Sequence, residues 1–335
     1  MATRETHPNL FRILDSCRAA THCRGVFKIV FLLSTQAVCV CTRSSLYQYE
    51  TDEYSREIEV YENTSREFRP DLLYALDTVI DIRNLPEHIL SLIPKSWSRL
   101  VSVLILPRAP WDLRTYLDTH QQDSLPQKLS ICCSAAYAVC ALNDQGFLHR
   151  DIKTRNMVID RDVDVPSMFS CKLIDFGLAR RVDKADPLDC YTPINRSPEC
   201  LAGCRKADFD ACAAEAWALG TVLYEIITGK ELLPRMAKET ESIDLLCITF
   251  INRYVAKIPA DHPASPLVIP YKRFKVKYEN VWKVFSSRLK ELGATPKQEK
   301  DITTAVSGLL SPDPMWRFTV PEAFDKLTEI NETLV

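Results

Sequence analysis

Two short strings hold the side chains with the most chemistry: His149-Arg150-Asp151-Ile152-Lys153-Thr154-Arg155-Asn156, and Asp175-Phe176-Gly177 beginning nineteen residues beyond Asn156. Between them they supply two carboxylates, a primary amide and an ammonium. Carboxylate and amide oxygens are the hard donors that magnesium prefers, and a positioned carboxylate can orient a hydroxyl and take its proton. Moving a phosphoryl group needs little covalent help, but it needs positioning and neutralised charge. As unrelated surface charges, these residues would have no reason to fall into this register.

The order and spacing of the two strings resemble the H-R-D-x-K-x-x-N and D-F-G of the eukaryotic protein kinase family, and the resemblance runs over nearly the whole chain. It implies an α+β, bilobal protein kinase fold, with a small β-rich N-lobe over residues 1–106 and a larger α-helical C-lobe over 107–335. It places ATP and Mg2+ in the cleft. By the same resemblance Asp151 orients the substrate hydroxyl and accepts its proton, Lys153 steadies the transferring phosphate, and Asn156 and Asp175 ligate magnesium. Leu106 to Ala109 would hold the adenine through backbone groups, with Asp112 near the ribose.

Downstream, Cys190 to Glu199 resembles the family's substrate-docking segment, ending in Ser-Pro-Glu where the family has A-P-E. Thr192 stands at the position whose hydroxyl bridges the catalytic Asp and Lys in the serine/threonine branch, so the implied substrates are Ser and Thr hydroxyls of proteins. Asp313-Pro314-Met315-Trp316-Arg317 resembles D-P-x-x-R and implies an ion pair between Arg317 and Glu199. Glu215 begins a string that resembles D-x-W-x-x-G, where the family Asp anchors the catalytic loop; a Glu is one methylene longer but accepts the same bonds. Leu188 occupies a place where many relatives carry a phosphorylated threonine, and Asp186 and Asp189 flank it, placed to pair with Arg150. Activity without loop phosphorylation is the expectation.

The N-terminal part departs from the family pattern. Arg56-Glu57-Ile58 resembles the R-E-I of the family's N-lobe helix, making Glu57 the partner of a third-strand lysine, but sixteen residues earlier stands Cys41. That absence favours a rival reading, a nucleotide-binding or scaffolding pseudokinase. Yet Arg24-Gly25-Val26-Phe27-Lys28-Ile29-Val30-Phe31 resembles the phosphate loop of the With-No-Lysine kinases, which carry cysteine in the third strand and take their lysine from the second. Adjacent strands of a hairpin can direct side chains into the same space. Lys28, with Gly25 and Val30 beside the nucleotide, is therefore the candidate cation, and Arg43, two residues past Cys41, is its competitor; a solvated strand lysine is the plainer reading of Lys28. Asp175-Phe176-Gly177 is not the D-L-G of those kinases, so their chloride sensing is not carried over. A small-molecule kinase is a third reading, disfavoured by the docking segment.

The elements that must position these residues follow from pattern. Residues from Phe11 to Cys41 read as β-like, with a hairpin turning at Ser34-Thr35-Gln36; Asp52 to Glu62 has helical spacing and Arg99 to Leu106 is β-rich. The first hundred residues are expected to form a small sheet with one helix. Pro107 to Pro110 breaks the pattern as a linker, after which Asp112 to Leu117, Leu129 to Leu142 and the very apolar Ala213 to Thr228 read as helices, and Pro259 to Pro270 as a loop.

With 335 residues, 46% of them hydrophobic, the chain has apolar material for one large or two modest cores. Its 42 Lys and Arg balance 44 Asp and Glu, which gives no footprint for nucleic acid or an anionic membrane. The thirteen cysteines lack C-x-x-C spacing and read as reduced, buried thiols in a cytoplasmic or nuclear setting. The most apolar run, Val26 to Cys41, is too short and too polar to span a bilayer, and the first twenty residues lack the apolar core of a signal peptide. The abbreviated N-lobe and the Leu106-Pro107-Arg108 hinge resemble kinases of large DNA viruses, herpesvirus-like ones especially.

Overall fold

The computed structural model describes residues 1–24, 28–43, 53–69, 74–75, 79–161, 168–185, 192–203, 205, 209–233, 243–268 and 279–334. The chain divides into two compact units, Met1–Pro110 with Asp175–Ala179, and Trp111–Ile174 with Arg180–Val335. The first unit runs on to Pro110, past the expected 106. The reason is local: the last sheet strand continues to Pro107, and Arg108 is tied back to the hairpin by its N–H on Thr35 O (3.0 Å) and its guanidinium on Leu33 O (2.8 Å).

The first unit opens with helix α1 (Pro8–Ser16), followed by β1 (Thr21–Arg24), β2 (Lys28–Leu32), β3 (Gln36–Thr42), α2 (Glu53–Asn63), β4 (Tyr74–Ala75), β5 (Ile80–Asp81), α3 (Glu87–Leu90) and β6 (Leu100–Pro107). The antiparallel sheet runs β1-β2-β3-β6-β4, with β5 also on β6. The expectation of a β-like run from Phe11 and of a single helix is corrected by α1 and α3. Leu10, Phe11 and Leu14, continued by Cys17, are spaced to form one helical stripe, and Pro8 starts the helix where a missing N–H costs nothing.

That stripe explains the sheet's outer face. Period-two alternation sends Ile29, Phe31, Val38, Val40, Val101, Val103 and Ile105 to one side, where they form a core with α1, Ile89 of α3 and Trp97. Fully burying a side chain such as Phe11 or Leu14 contributes about 1.5–3 kcal/mol. The opposite face carries Lys28 and Val30 of β2, Cys39 and Cys41 of β3, and Ser102, Leu104 and Leu106 of β6, as the pairing register requires.

The second unit begins with β7 (Trp111–Asp112), α4 (Leu113–Thr119), α5 (Leu125–Asp144) and β8 (Phe147–Leu148), then the hairpin β9 (Met157–Arg161) and β10 (Phe169–Leu173), with β11 (Arg180–Arg181) pairing β8. It continues with α6 (Pro198–Leu201), α7 (Ala211–Thr228), α8 (Ile243–Phe250), α9 (Val281–Glu291), α10 (Pro296–Leu309) and α11 (Val320–Glu332). Helix α7 is buried on all sides from Ala214 to Ile227, as its composition demands. Around it pack α5, α9 and α10, while α11 closes on α5. Among the described residues α5 is the one helix long and apolar enough to cross a membrane, and most of it is buried in this core. The proline-rich stretch is irregular as far as Val268, apart from a short turn at Ser265–Leu267.

Candidate active site

In the helical unit the string from His149 to Asn156 is held from behind by α7. Arg150 has a left-handed backbone (φ 65°), a conformation that costs a non-glycine residue about 1–3 kcal/mol and persists only where its surroundings enforce it. The enforcing group is Glu215, fully buried, whose Oε1 accepts the His149 N–H (2.8 Å) and whose Oε2 accepts the Arg150 N–H (2.9 Å). The longer acid thus makes the bonds expected of an Asp. On the other side His149 Nε2 donates to Ile174 O (2.9 Å), linking the loop to the end of β10.

This scaffold brings four of the expected residues into one network. Asp151 Oδ2 accepts from Lys153 Nζ (2.6 Å) and Asn156 Nδ2 (2.9 Å), while Oδ1 accepts from Thr192 Oγ1 (2.9 Å) and the Thr192 N–H (3.1 Å). Lys153 Nζ also donates to Thr192 Oγ1 (3.1 Å), so the threonine bridges the acid and the lysine. The Asn156 amide nitrogen is spent on Asp151, which leaves its Oδ1 as the atom able to ligate a cation. Beside Lys153 and Thr192 lies a cavity of about 120 Å³, walled by Ile194, Leu232, Leu233 and Glu231. It is smaller than the roughly 300–1,000 Å³ of small-molecule sites and suits a side chain.

A second brace escaped sequence reasoning. Thr154 Oγ1 donates to Glu225 Oε1 (3.1 Å), and Arg114 of α4 pairs with the same oxygen (2.5 Å). Burial pushes the Glu225 carboxyl up, and Arg114 offsets only part of that. No motif marks this trio; the signal available was an acid inside the apolar run of α7.

In the sheet unit Lys28 meets Glu57, its expected partner, and also Asp175. It is the direct cross-strand partner of Cys41. Its Nζ lies 3.0 Å from Glu57 Oε2 and 2.7 Å from Asp175 Oδ1. Burial pulls this ammonium's pKa down, but the Asp175 and Glu57 carboxylates outweigh it and hold the lysine well above its usual value. Arg43 is engaged elsewhere: its guanidinium reaches Ser102 Oγ (3.3 Å) and Ser55 Oγ (3.2 Å) and lies 4.6 Å from the centre of the Tyr54 ring.

Helix α2 holds Phe176 and Gly177 of the Asp175 turn. Asp175 is left-handed (φ 69°). Phe176 is fully buried, edge-on to Tyr61 (5.7 Å) and Phe68 (6.2 Å). Arg56 Nε donates to Gly177 O (2.6 Å), and a Cβ on Gly177 would lie only 3.1 Å from the Glu53 Cβ, so this glycine allows the helix its close approach.

The remaining expected residues are placed as follows. Val30 and Leu106 share the Lys28 face of the sheet. Asp112 belongs to the helical unit and caps α4, accepting from the Thr115 N–H (3.0 Å) and Thr115 Oγ1 (2.6 Å). Gly25, Asp186, Leu188 and Asp189 lie outside the described residues. Glu199 and Arg317 form a buried two-pronged pair (2.7 and 3.0 Å), with Arg317 also donating to Ala213 O and Ser311 O. Burial pushes the Glu199 carboxyl up, but Arg317 outweighs it and holds the group below its usual value.

An antiparallel sheet whose strand lysine meets a helix glutamate, and a helical unit whose loop binds Asp, Lys, Asn and Thr into one network, are the construction of a protein kinase. The protein kinase domain profile matches residues 87–327, most of the chain, and the chain belongs to that family. It is 30% identical to a "probable serine/threonine-protein kinase" of Dictyostelium discoideum over 160 residues, 47% of this chain and 16% of the relative. It is 29% identical to cyclin-dependent kinase 11B of Rattus norvegicus over 190 residues (54% and 40%), and 36% identical to the sporulation protein kinase mde3 of Schizosaccharomyces pombe over 125 residues (36% and 22%). The chain spans less than half the length of these relatives. Residues 1–86, with Lys28 and Glu57, precede the matched stretch.

Proposed function

We propose that this kinase is catalytically active, transferring the γ-phosphate of ATP to Ser and Thr hydroxyls of proteins, with Lys28 in the role of the absent third-strand lysine. The observation that carries the reading is the double ion pair of Lys28 with Glu57 and Asp175. A solvated strand lysine gives no reason for these three residues to converge. The chemistry needs each member. Asp151 orients the acceptor hydroxyl and takes its proton as the oxygen bonds to the γ-phosphorus and the bond to the ADP oxygen breaks. Lys153 places positive charge beside that acid, and Lys28 supplies a point charge for the other phosphates of the nucleotide.

Asp175 and Asn156 fit magnesium by donor chemistry, a carboxylate and an amide oxygen; bound with ATP, the ion would neutralise phosphate charge. Serine/threonine specificity is supported by Thr192 bridging Asp151 and Lys153, and by the names of the relatives. A protein substrate is supported by the side-chain-sized cavity next to that bridge. Herpesvirus-like origin and a cytoplasmic or nuclear location rest on the sequence resemblance and composition.

The test is transfer of labelled phosphate from magnesium-ATP to a generic basic protein, followed by phosphoamino-acid analysis. Phosphoserine and phosphothreonine are expected. A folded protein that binds ATP but transfers nothing would establish the pseudokinase reading instead.

A further inference from the structure

A second pocket, of about 450 Å³, opens on the helical unit where the start of α5, the C-terminal end of α7 and one face of α9 meet. That volume is in the range of ligand sites, roughly 300–1,000 Å³. Its charged lining is Lys128, Lys230, Lys283 and Arg288 against Glu279 and Glu291. Lys128, 2% exposed, is a buried lysine in the pocket's lining.

Among the described residues the Lys128 ammonium makes one hydrogen bond, to a neutral acceptor, Ile226 O in the last turn of α7 (2.9 Å), and no carboxylate forms an ion pair with it. The carbonyl end of a helix favours a cation, but a second cation is also present. Burial lowers the Lys128 pKa and Arg288 lowers it further, while Asp123 and the Cys132 thiol offset only part. Arg288 is itself partly engaged, through Nη1 with Glu291 (3.0 Å) and Nη2 with Gln121 O (2.8 Å). Lys230 and Lys283 are exposed at the rim. Like charges gathered in a partly desolvated wall are costly, and a bound anion removes that cost.

We propose that this pocket binds a phosphate dianion, as a free phosphate ion or as the phosphorylated side chain of a peptide. Phosphate brings a charge of about −1.5 to −2 and three acceptor oxygens, which match an ammonium with N–H groups to spare and lysines at the entrance. None of these residues belongs to the active site, so the inference stands or falls independently of the transfer reading.

The test is calorimetric titration of the full chain with inorganic phosphate, with a phosphoserine peptide and with the same peptide unphosphorylated. Both phosphate probes are expected to bind, and the unphosphorylated peptide is not. Equal affinity of the two phosphate probes identifies the free ion as the ligand; tighter binding of the peptide identifies a phosphorylated segment. Lys283→Glu, an exposed change that spares the fold, should weaken phosphate binding at least tenfold, and Glu279→Gln should tighten it. Lys128→Met should abolish it, with circular dichroism checking the fold. Absence of binding by both phosphate probes, binding indifferent to Lys283→Glu, or binding lost in Lys28→Met would overturn the proposal.

Discussion

The catalytic loop of the helical unit and the β2–β3 hairpin of the sheet unit hold comparable charge in different ways. Between His149 and Asn156 the acid, the lysine and the amide stand within one string, inside the stretch that matches the kinase profile, and the structure ties them to one another at 2.6–3.0 Å. In the hairpin Cys41 stands sixteen residues before Glu57, and the cation that pairs with Glu57 is Lys28 of the strand next door, ahead of the matched stretch. Lys28 and Cys41 are direct cross-strand partners, so in the proposed exchange the charge would cross one strand spacing and still meet Glu57 and Asp175. A loop that must bond a hydroxyl fixes its residues by short-range geometry. A long flexible ammonium can be delivered from either of two neighbouring backbones.

Several substitutions probe whether the two regions differ in this way. The largest effect is expected from Asp151→Asn and Asp175→Asn, each removing transfer by about 10³-fold or more, since general-base and charge-stabilising groups are each worth roughly 10²–10⁴. Asp175→Asn should also weaken magnesium-dependent ATP binding while Asp151→Asn spares it, which a nucleotide titration measures.

Glu215 tests the scaffold behind the loop. Glu215→Ala removes the acceptor of two backbone N–H groups, at about 1.5–3 kcal/mol each for bonds to a charged group, and should depress turnover strongly; Glu215→Asp should restore most of it. Equal activity of all three proteins would remove Glu215 from the account.

Arg317→Met should act on stability and not on chemistry. Leaving Glu199 buried without its partner costs about 3–5 kcal/mol, read as a lower denaturation midpoint. The Glu199 carboxyl in the folded protein titrates below its reference value of 4.5. The pairing therefore stabilises the fold above about pH 4.5 and is lost as pH falls through the depressed value. The gap between wild type and variant should narrow in acid. The smallest effects belong to Cys41→Ala and Arg43→Met, which should leave turnover within a few-fold of wild type, since Arg43 is committed to Ser55, Ser102 and Tyr54.

The parts of this site that were legible in the sequence are those with short or regular spacing. Asp151, Lys153 and Asn156 sit in one string, counting back from the Arg56-Glu57-Ile58 triplet leads to Cys41, and Lys28 was singled out by the resemblance of Arg24 to Phe31 to the With-No-Lysine loop. What was not legible depends on contacts far apart in sequence: the grip of Arg56 on Gly177 spans 121 positions and the bond of Thr154 to Glu225 spans 71. Helix α1 was missed because Phe11-Arg12-Ile13 also satisfies a strand's alternation, whereas Leu14 breaks it and, with Leu10, Phe11 and Cys17, follows a helical period. The cap that Asp112 gives α4 was likewise unread, although it is a local demand that Asp meets often.

The central claim is that the charge may move between β2 and β3 provided it arrives at Glu57 and Asp175. Its most direct test is turnover of Lys28→Met compared with the double variant Lys28→Met/Cys41→Lys, both checked for folding. The single variant should lose at least 10²-fold, about 2.7 kcal/mol at 1.36 kcal/mol per tenfold. The double variant, which restores an ammonium from the adjacent strand, should recover much of that loss. A Lys28→Met protein as fast as wild type would contradict the account outright. A dead single variant with no recovery in the double would show that the identity of the strand, and not the destination of the charge, decides function.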